Sequence, residues 1–366
     1  MGAASHRRVR QSDPATLGVR SMYKCAIIGV SGGRAAGLAA AYAHVQKGRL
    51  VAVSTRTEEN LHAFGERFDV AARYTDYRQM LAREKPDLVH VNTPPDVRLE
   101  VFAAAEEAGV PAVLVEKPVA IQGEDWRAMR DFAAGAKVKI AVNHQLHFHP
   151  RRQRLQDIVH DGKIGAVQFI EASCGMNLAY QGTHTLQAIN GFYPKGEPVR
   201  VLGQVAGADG LIDTPRKHFA PDQSMASIEY ADGLRAHFVS GPFAQRVLPD
   251  DERTNVHKRI AVYGTRGYVH WTMWSWEVGI DGQVERGKHA YPDEDILGQA
   301  AMTDALLDWI GDDSALHPLQ LQLALRDFNI LLGVYTSALE HRPIELPFTP
   351  GDDLIGRLRA TLSQRR

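Results

Sequence analysis

From residue 23 onward, short continuous apolar runs alternate with longer segments whose apolar residues recur every three or four positions. "YKCAIIGV" (23–30), "RLVAVSTR" (49–56), "PDLVHVNTPP" (86–95), "PAVLVEKP" (111–118) and "VKIAVNHQ" (138–145) have the unbroken hydrophobicity of strands covered on both faces. Between them, "SGGRAAGLAAAYAHVQKG", "TEENLHAFGERFDV", "DVRLEVFAAAEEAGV" and "GEDWRAMRDFAAGAK" have helical spacing. Strands joined by helices through short connections predict βαβ units, and hence a doubly wound parallel sheet over residues 22–146.

Beyond a helix at 150–160 the pattern changes to alternation with a period of two. "AVQFIEASCGM" (166–176), "SMASIEYADGLRAHFVSG" (224–241), "KRIAVYGTRGYVHWTMWSWEV" (258–278) and "IDGQVERG" (280–287) are alternating runs broken by Asp-Gly and Arg-Gly turns, as antiparallel hairpins require. Two helices follow, near 295–310 and 318–340, the second with Pro318 in its first turn and Pro343 past its end. Residues 147–366 are therefore expected to form an α+β domain on an open, mostly antiparallel sheet. Read as one strand, 270–278 places Trp274 and Trp276 on one face and Trp271 on the other, and such a face is expected to bury against another subunit.

Composition narrows the partners. The 366 residues suit two domains, and a net charge of -1 with no basic or acidic block argues against nucleic acid and membrane surfaces. Two cysteines, Cys25 and Cys174, build neither a disulfide framework nor a thiolate metal site. No stretch approaches the ~20 apolar residues of a membrane span, and residues 1–21 lack the apolar body of a secretory signal. They are expected to be a disordered tail, with Met22 opening the fold and the cytoplasm as the location. A small-molecule ligand is the default.

The first strand runs into Gly29, Ser31, Gly32, Gly33, Arg34 and Gly37, a glycine-rich loop that opens a helix and suits a pyrophosphate on the helix N-terminus. The second strand ends in Ser54-Thr55-Arg56 with no carboxylate for a ribose hydroxyl. Two hydroxyls and a guanidinium suit a 2'-phosphate, so NADP is favoured, with NAD as the alternative. Asn92, Thr93 and Pro94 end the third strand on the same edge, beside the expected cofactor.

The fourth strand ends in Glu116-Lys117-Pro118, which pushes an ammonium into the cleft where ligands of doubly wound sheets sit. A confined lysine has a lowered pKa and can exchange a proton with a substrate hydroxyl, with Glu116 expected to hold it by hydrogen bonding. His144, His147 and His149 have strand-to-loop spacing with no nearby carboxylate, so no metal is expected.

With these motifs, and with "NHQLHFHPRRQRLQDIVHDGKIGAVQFIE", "QGTHTLQ" and "IAVYGTRGYVHW", the chain resembles the glucose–fructose oxidoreductase, inositol dehydrogenase and rhizopine catabolism (Gfo/Idh/MocA) family over nearly all of 23–345. The resemblance implies an N-terminal Rossmann domain, a C-terminal domain whose open sheet joins a homo-dimer or homo-tetramer, a nicotinamide cofactor, and a sugar or polyol substrate. It pairs Lys117 with His184 at the start of a helix as the proton-handling groups. Tyr180, expected to orient the substrate or relay the proton beside His184, stands where the family carries aspartate, and Gln187 where it carries the next acid. Asn143, His144 and His147 are implied at the substrate side of the cleft, and Arg98 stands where it would touch an anionic substrate or cap its helix. The expected function is an NADP-dependent oxidoreductase on a secondary hydroxyl or carbonyl. The alternatives are a glycoside hydrolase or lyase that recycles bound cofactor, and a cofactor-binding regulator without catalysis.

Overall fold

The computed structural model describes residues 22–212, 217–245 and 256–363; the expectation for residues 1–21 lies outside them. The first half runs β1 (Tyr23–Ile28), α1 (Gly33–Ala41), β2 (Gly48–Ser54), α2 (Glu58–Arg67), β3 (Ala72–Tyr74), α3 (Tyr77–Glu84), β4 (Leu88–Val91), α4 (Arg98–Glu107), β5 (Ala112–Glu116), α5 (Gly123–Gly135) and β6 (Lys139–Asn143). The six strands pair in parallel in the order β3-β2-β1-β4-β5-β6. The order reverses between β1 and β4, which opens a crevice at their carboxyl ends. Strand β3 and helix α3 escaped the periodicity analysis: three residues are too few to show a strand pattern, and α3 is a short helix with only Met80 and Leu81 buried.

The chain continues with α6 (Pro150–His160), β7 (Val167–Cys174), α7 (Thr183–Phe192), β8 (Pro198–Ala206), β9 (Gln223–Tyr230), β10 (Arg235–Ser240), β11 (Lys258–Gly264), β12 (Gly267–Thr272), β13 (Ser275–Ile280) and β14 (Gln283–Lys288). Helices α8 (Tyr291–Gly311) and α9 (Leu321–Glu340), the two-residue β15 (Ile344–Glu345) and α10 (Leu354–Ser363) complete it. Nine strands form one sheet, β14-β13-β12-β11-β7-β10-β9-β8-β15, antiparallel except for β7 beside β10. Inward-facing Ile170, Ala172, Ala236, Phe238, Ile228 and Ile260 are buried against the helices, while Phe169, Tyr263, Tyr268 and His270 stack along the outer face.

Three differences from expectation have local causes. Pro318 precedes α9, which starts at Leu321, because Leu319 and Gln320 pair with β6: Val142 N–H donates to the Leu319 carbonyl at 2.9 Å and Gln320 bridges Ala141. The tryptophan run is a hairpin broken after Thr272, whose hydroxyl accepts the N–H groups of Trp274 and Ser275. Trp271 therefore sits opposite Trp276 on one face, and both are buried under α6, with Arg152 over the Trp271 ring and Arg151 over that of Trp276. Helix α8 returns to the first sheet: Met302, Leu306 and Leu307 pack with Cys25, Leu88, Ala112 and Leu114 in one cluster. No helix among the described residues is long and apolar enough to cross a membrane.

Candidate active site

Gly29 leaves β1 at φ +91, and a Cβ there would lie 3.0 Å from the Asn92 carbonyl oxygen at the end of β4, so only glycine fits. Gly32 and Gly33 face open space at the start of α1, whose first turn has no acidic residue and no side-chain cap. The helix thus presents unsatisfied N–H groups and its positive dipole end to the crevice. The Ser31 and Thr55 hydroxyls meet at 2.9 Å and join this loop to the end of β2. Ser54 is buried and Arg56 exposed. Across the crevice Pro94 is exposed, and Asn92 Nδ2 and Thr93 Oγ1 are buried with no partner among the described residues. This bare loop with orphaned polar atoms opposite fits a dinucleotide.

Lys117 follows the end of β5, is 5% exposed, and is joined to Pro118 by a cis peptide. Its Nζ donates to the backbone carbonyl of Tyr180 and lies 4.7 Å from that ring's centroid. Burial pushes its pKa down to about 7, against the pull of Glu116 and with the help of Arg34, Lys258 and Arg98. Glu116 does not hold the lysine as expected. Its carboxylate accepts from Asn143 Nδ2 at 2.7 Å and pairs with Arg34 at 3.5 Å, because alternation along the strand sends neighbouring side chains to opposite faces. Arg34 also reaches Asp295 of α8 at 3.8 Å, and Asn143 reaches Gln299 at 3.3 Å.

Tyr180 lies in a wide turn over Leu178–Gly182, capped by Asn177, whose side chain accepts the Tyr180 N–H at 2.9 Å. Helix α7 continues from it and carries His184, which is buried with Nδ1 unpartnered among the described residues. His144 meets His184 edge-on, ring centroids 5.1 Å apart. Burial, then the charge of Lys117, pushes His184 well below the usual histidine range and His144 to about 3. Both rings are therefore neutral at pH 7. The structure thus brings Lys117, Tyr180, His184 and His144 together, while Asn143 turns to Glu116 and Gln299.

His147 and Arg98 sit further back. His147 Nδ1 accepts from Gln187 Nε2 at 3.1 Å, while Gln187 Oε1 accepts from buried Arg152 at 3.0 Å. A glutamine thus bridges a cation and a neutral ring, which a carboxylate in its place would charge. Arg98 is 2% exposed and donates to the carbonyls of Thr93 and Pro118. It braces two strand ends from inside, its guanidinium occupied, rather than facing a substrate or capping α4. His149 turns to Asp295, 3.2 Å away, so the three histidines diverge to different partners.

Gln299 and Asp295 on α8, and Lys258 at the start of β11, were missed by sequence reasoning. No local motif marks the first two, since only the return of α8 brings them in. Lys258 had a signal: a charged residue opening an apolar central strand is as unusual as Lys117 following one.

Residues 23–144 match the family described as "Oxidoreductase family, NAD-binding Rossmann fold". The D-apiose dehydrogenase of Paraburkholderia graminis is 30% identical over 125 residues, 34% of this chain and 33% of that protein. The D-xylose 1-dehydrogenase (NADP(+)) 2 of Haloferax volcanii is 25% identical over 127 residues, 35% of this chain and 38% of that protein. The chain therefore matches little more than a third of these relatives' length. Likeness of fold extends further: an oxidoreductase from Agrobacterium radiobacter, solved with NAD+, L-tartaric acid and magnesium, superposes with a TM-score of 0.74 at 17% identity, covering 89% of this chain and 98% of that one. With its glycine loop and its Glu-Lys-Pro strand end inside this match, residues 23–144 are similar to the NAD-binding Rossmann fold of that oxidoreductase family.

Proposed function

We propose that the protein is an NADP-dependent oxidoreductase acting on a secondary hydroxyl, or the matching carbonyl, of a sugar, cyclitol or glycoside. The observation that carries this is Lys117, buried at the carboxyl edge of the parallel sheet, poised near neutrality and set beside His184. The names of the two dehydrogenase relatives support a sugar as substrate.

The nicotinamide nucleotide, when bound, takes or gives the hydride. Gly29, Ser31, Gly32, Gly33, Asn92, Thr93 and Pro94 would hold its phosphates and nicotinamide half, with Arg34 and Glu116 closing the near side. Ser54, Thr55 and Arg56 would hold the 2'-phosphate; Arg56 is exposed and has no ion pair among the described residues. Lys117, whose pKa burial lowers to about 7, accepts the hydroxyl proton in oxidation and returns it in reduction. His184 Nδ1 hydrogen-bonds the same oxygen, and His144 fixes the His184 ring. Tyr180 positions Lys117, Asn143 lines the substrate side, and Gln187 holds His147 behind it. The outer face of the nine-stranded sheet, with Leu202 and Met225 at 48% and 43% exposure, is the surface proposed to join a homo-dimer or homo-tetramer in the cytoplasm.

The test is a screen of sugars and cyclitols with NADP+ or NAD+, preceded by identification of any nucleotide released on denaturation. Nucleotide-dependent turnover supports the reading. Tightly retained nucleotide with aglycone release and no net redox change would replace it with the cofactor-recycling hydrolase or lyase.

A further inference from the structure

Lys258 opens β11 in the middle of the second sheet and is 6% exposed. Its partners are poor for a buried cation: the Val256 carbonyl at 3.1 Å and the Met273 sulfur at 3.6 Å. No ion pair to it is found among the described residues. It stands in register opposite Cys174, where β7 leaves the sheet toward the Tyr180 turn, and β11 packs against α7. That packing puts the start of β11 on the side of the sheet that carries α7 and His184.

The nearby carboxylates among the described residues are already engaged. Glu116 pairs with Arg34, and Asp295 with Arg34 and His149. Two ammonium groups, Lys117 and Lys258, are left without an anion among the described residues. Lys117 has proton chemistry to account for its place and Lys258 has none. A buried charge is normally paired, and a ligand anion would complete this one. On α7, the helix that packs against β11, Thr183 Oγ1 and His184 Nδ1 are buried and unpartnered among the described residues.

We propose that the substrate carries a carboxylate, bound by the Lys258 ammonium, so that the preferred ligand is a sugar acid rather than a neutral sugar. This rests on the oxidoreductase reading for the reaction but not for the binding. A lysine presents a compact point charge, which suits one carboxylate oxygen, with the neighbouring hydroxyl and ring nitrogen left for the sugar.

The experiment is calorimetric titration of the NADPH-loaded protein with matched pairs: D-glucuronate and D-glucose, D-galacturonate and D-galactose, D-gluconate and D-glucitol. At least one acid is expected to bind about 10- to 100-fold more tightly than its neutral partner, the scale of one hydrogen bond to a charged group. Lys258→Met should bring that ratio close to one and Lys258→Arg should keep most of it. Acids that bind no better than neutral sugars, or a ratio that survives Lys258→Met, would overturn the proposal. The ligand-free Tm at pH 7 guards against misfolding: losing an unpaired buried charge should raise it, and a fall would show the ammonium already satisfied and overturn the proposal. Acid binding without nucleotide dependence or turnover would sink the oxidoreductase reading alone, whereas turnover of neutral sugars only would sink the carboxylate site alone.

Discussion

The Lys117 ammonium and Tyr180 are joined twice, by a hydrogen bond to the backbone carbonyl and by the position of the ammonium 4.7 Å from the ring centroid. The carbonyl contact depends on the turn and not on the side chain, so it holds the lysine whichever residue stands at position 180. What tyrosine does not supply is a negative charge.

Lys117→Ala should abolish turnover while leaving NADPH affinity within a few-fold of wild type, read by fluorescence titration. In the wild-type protein kcat/KM for oxidation should rise with pH through about 7, where Lys117 becomes neutral, and carbonyl reduction should fall over the same range. Tyr180→Asp places an anion beside the ammonium, favours the charged form, and should move that midpoint up by roughly 1–3 units. An unmoved midpoint would remove Lys117 as the titrating group.

Stability should also depend on pH. Lys117 and Lys258 titrate at about 7 and about 8 in the folded protein and at their ordinary, higher value when unfolded. Between pH 7 and 9 the unfolded chain therefore holds more protons, so these groups make stability increase with pH; their destabilising effect is complete below about 7. Denaturant unfolding at pH 7 and pH 9 should show a smaller increase in Lys117→Met/Lys258→Met than in wild type, and equal increases would contradict the assignment.

The bridge from Arg152 through Gln187 to His147 predicts opposite effects for two substitutions. Gln187→Leu strands a buried guanidinium and should destabilise by about 1–3 kcal/mol in urea unfolding. Gln187→Glu keeps an acceptor for Arg152 but sets an anion against the lone pair of His147 Nδ1. The His147 pKa, measured by NMR titration, should then rise above its depressed wild-type position.

Cofactor preference is tested at the end of β2. Thr55→Asp adds a carboxylate that repels a 2'-phosphate and accepts from ribose hydroxyls, so the ratio of NADP to NAD affinity should fall about tenfold or more, as for loss of a charge-assisted contact. An unchanged ratio would count against a phosphate pocket at Ser54, Thr55 and Arg56.

Patterning alone located most strands of the two sheets, though not β3, β8 or β15, together with the glycine loop after β1 and the lysine at the end of β5, because each is a local departure from a strong periodic signal: apolar runs, then glycines, then a charge at a strand end. The same locality explains the misses. A three-residue strand such as Ala72–Tyr74 has no period to detect, and the Thr272 turn that folds Trp271 onto Trp276 depends on one hydroxyl. Only the tertiary structure decided which charges meet. Glu116 goes to Arg34 and Asn143 rather than to the adjacent Lys117, α8 returns from the second half to bring Asp295 and Gln299 to the first sheet, and Lys258 arrives from a strand 141 positions beyond Lys117. Such partners are set by sheet order and helix docking, which bring distant segments together with no mark in the local sequence.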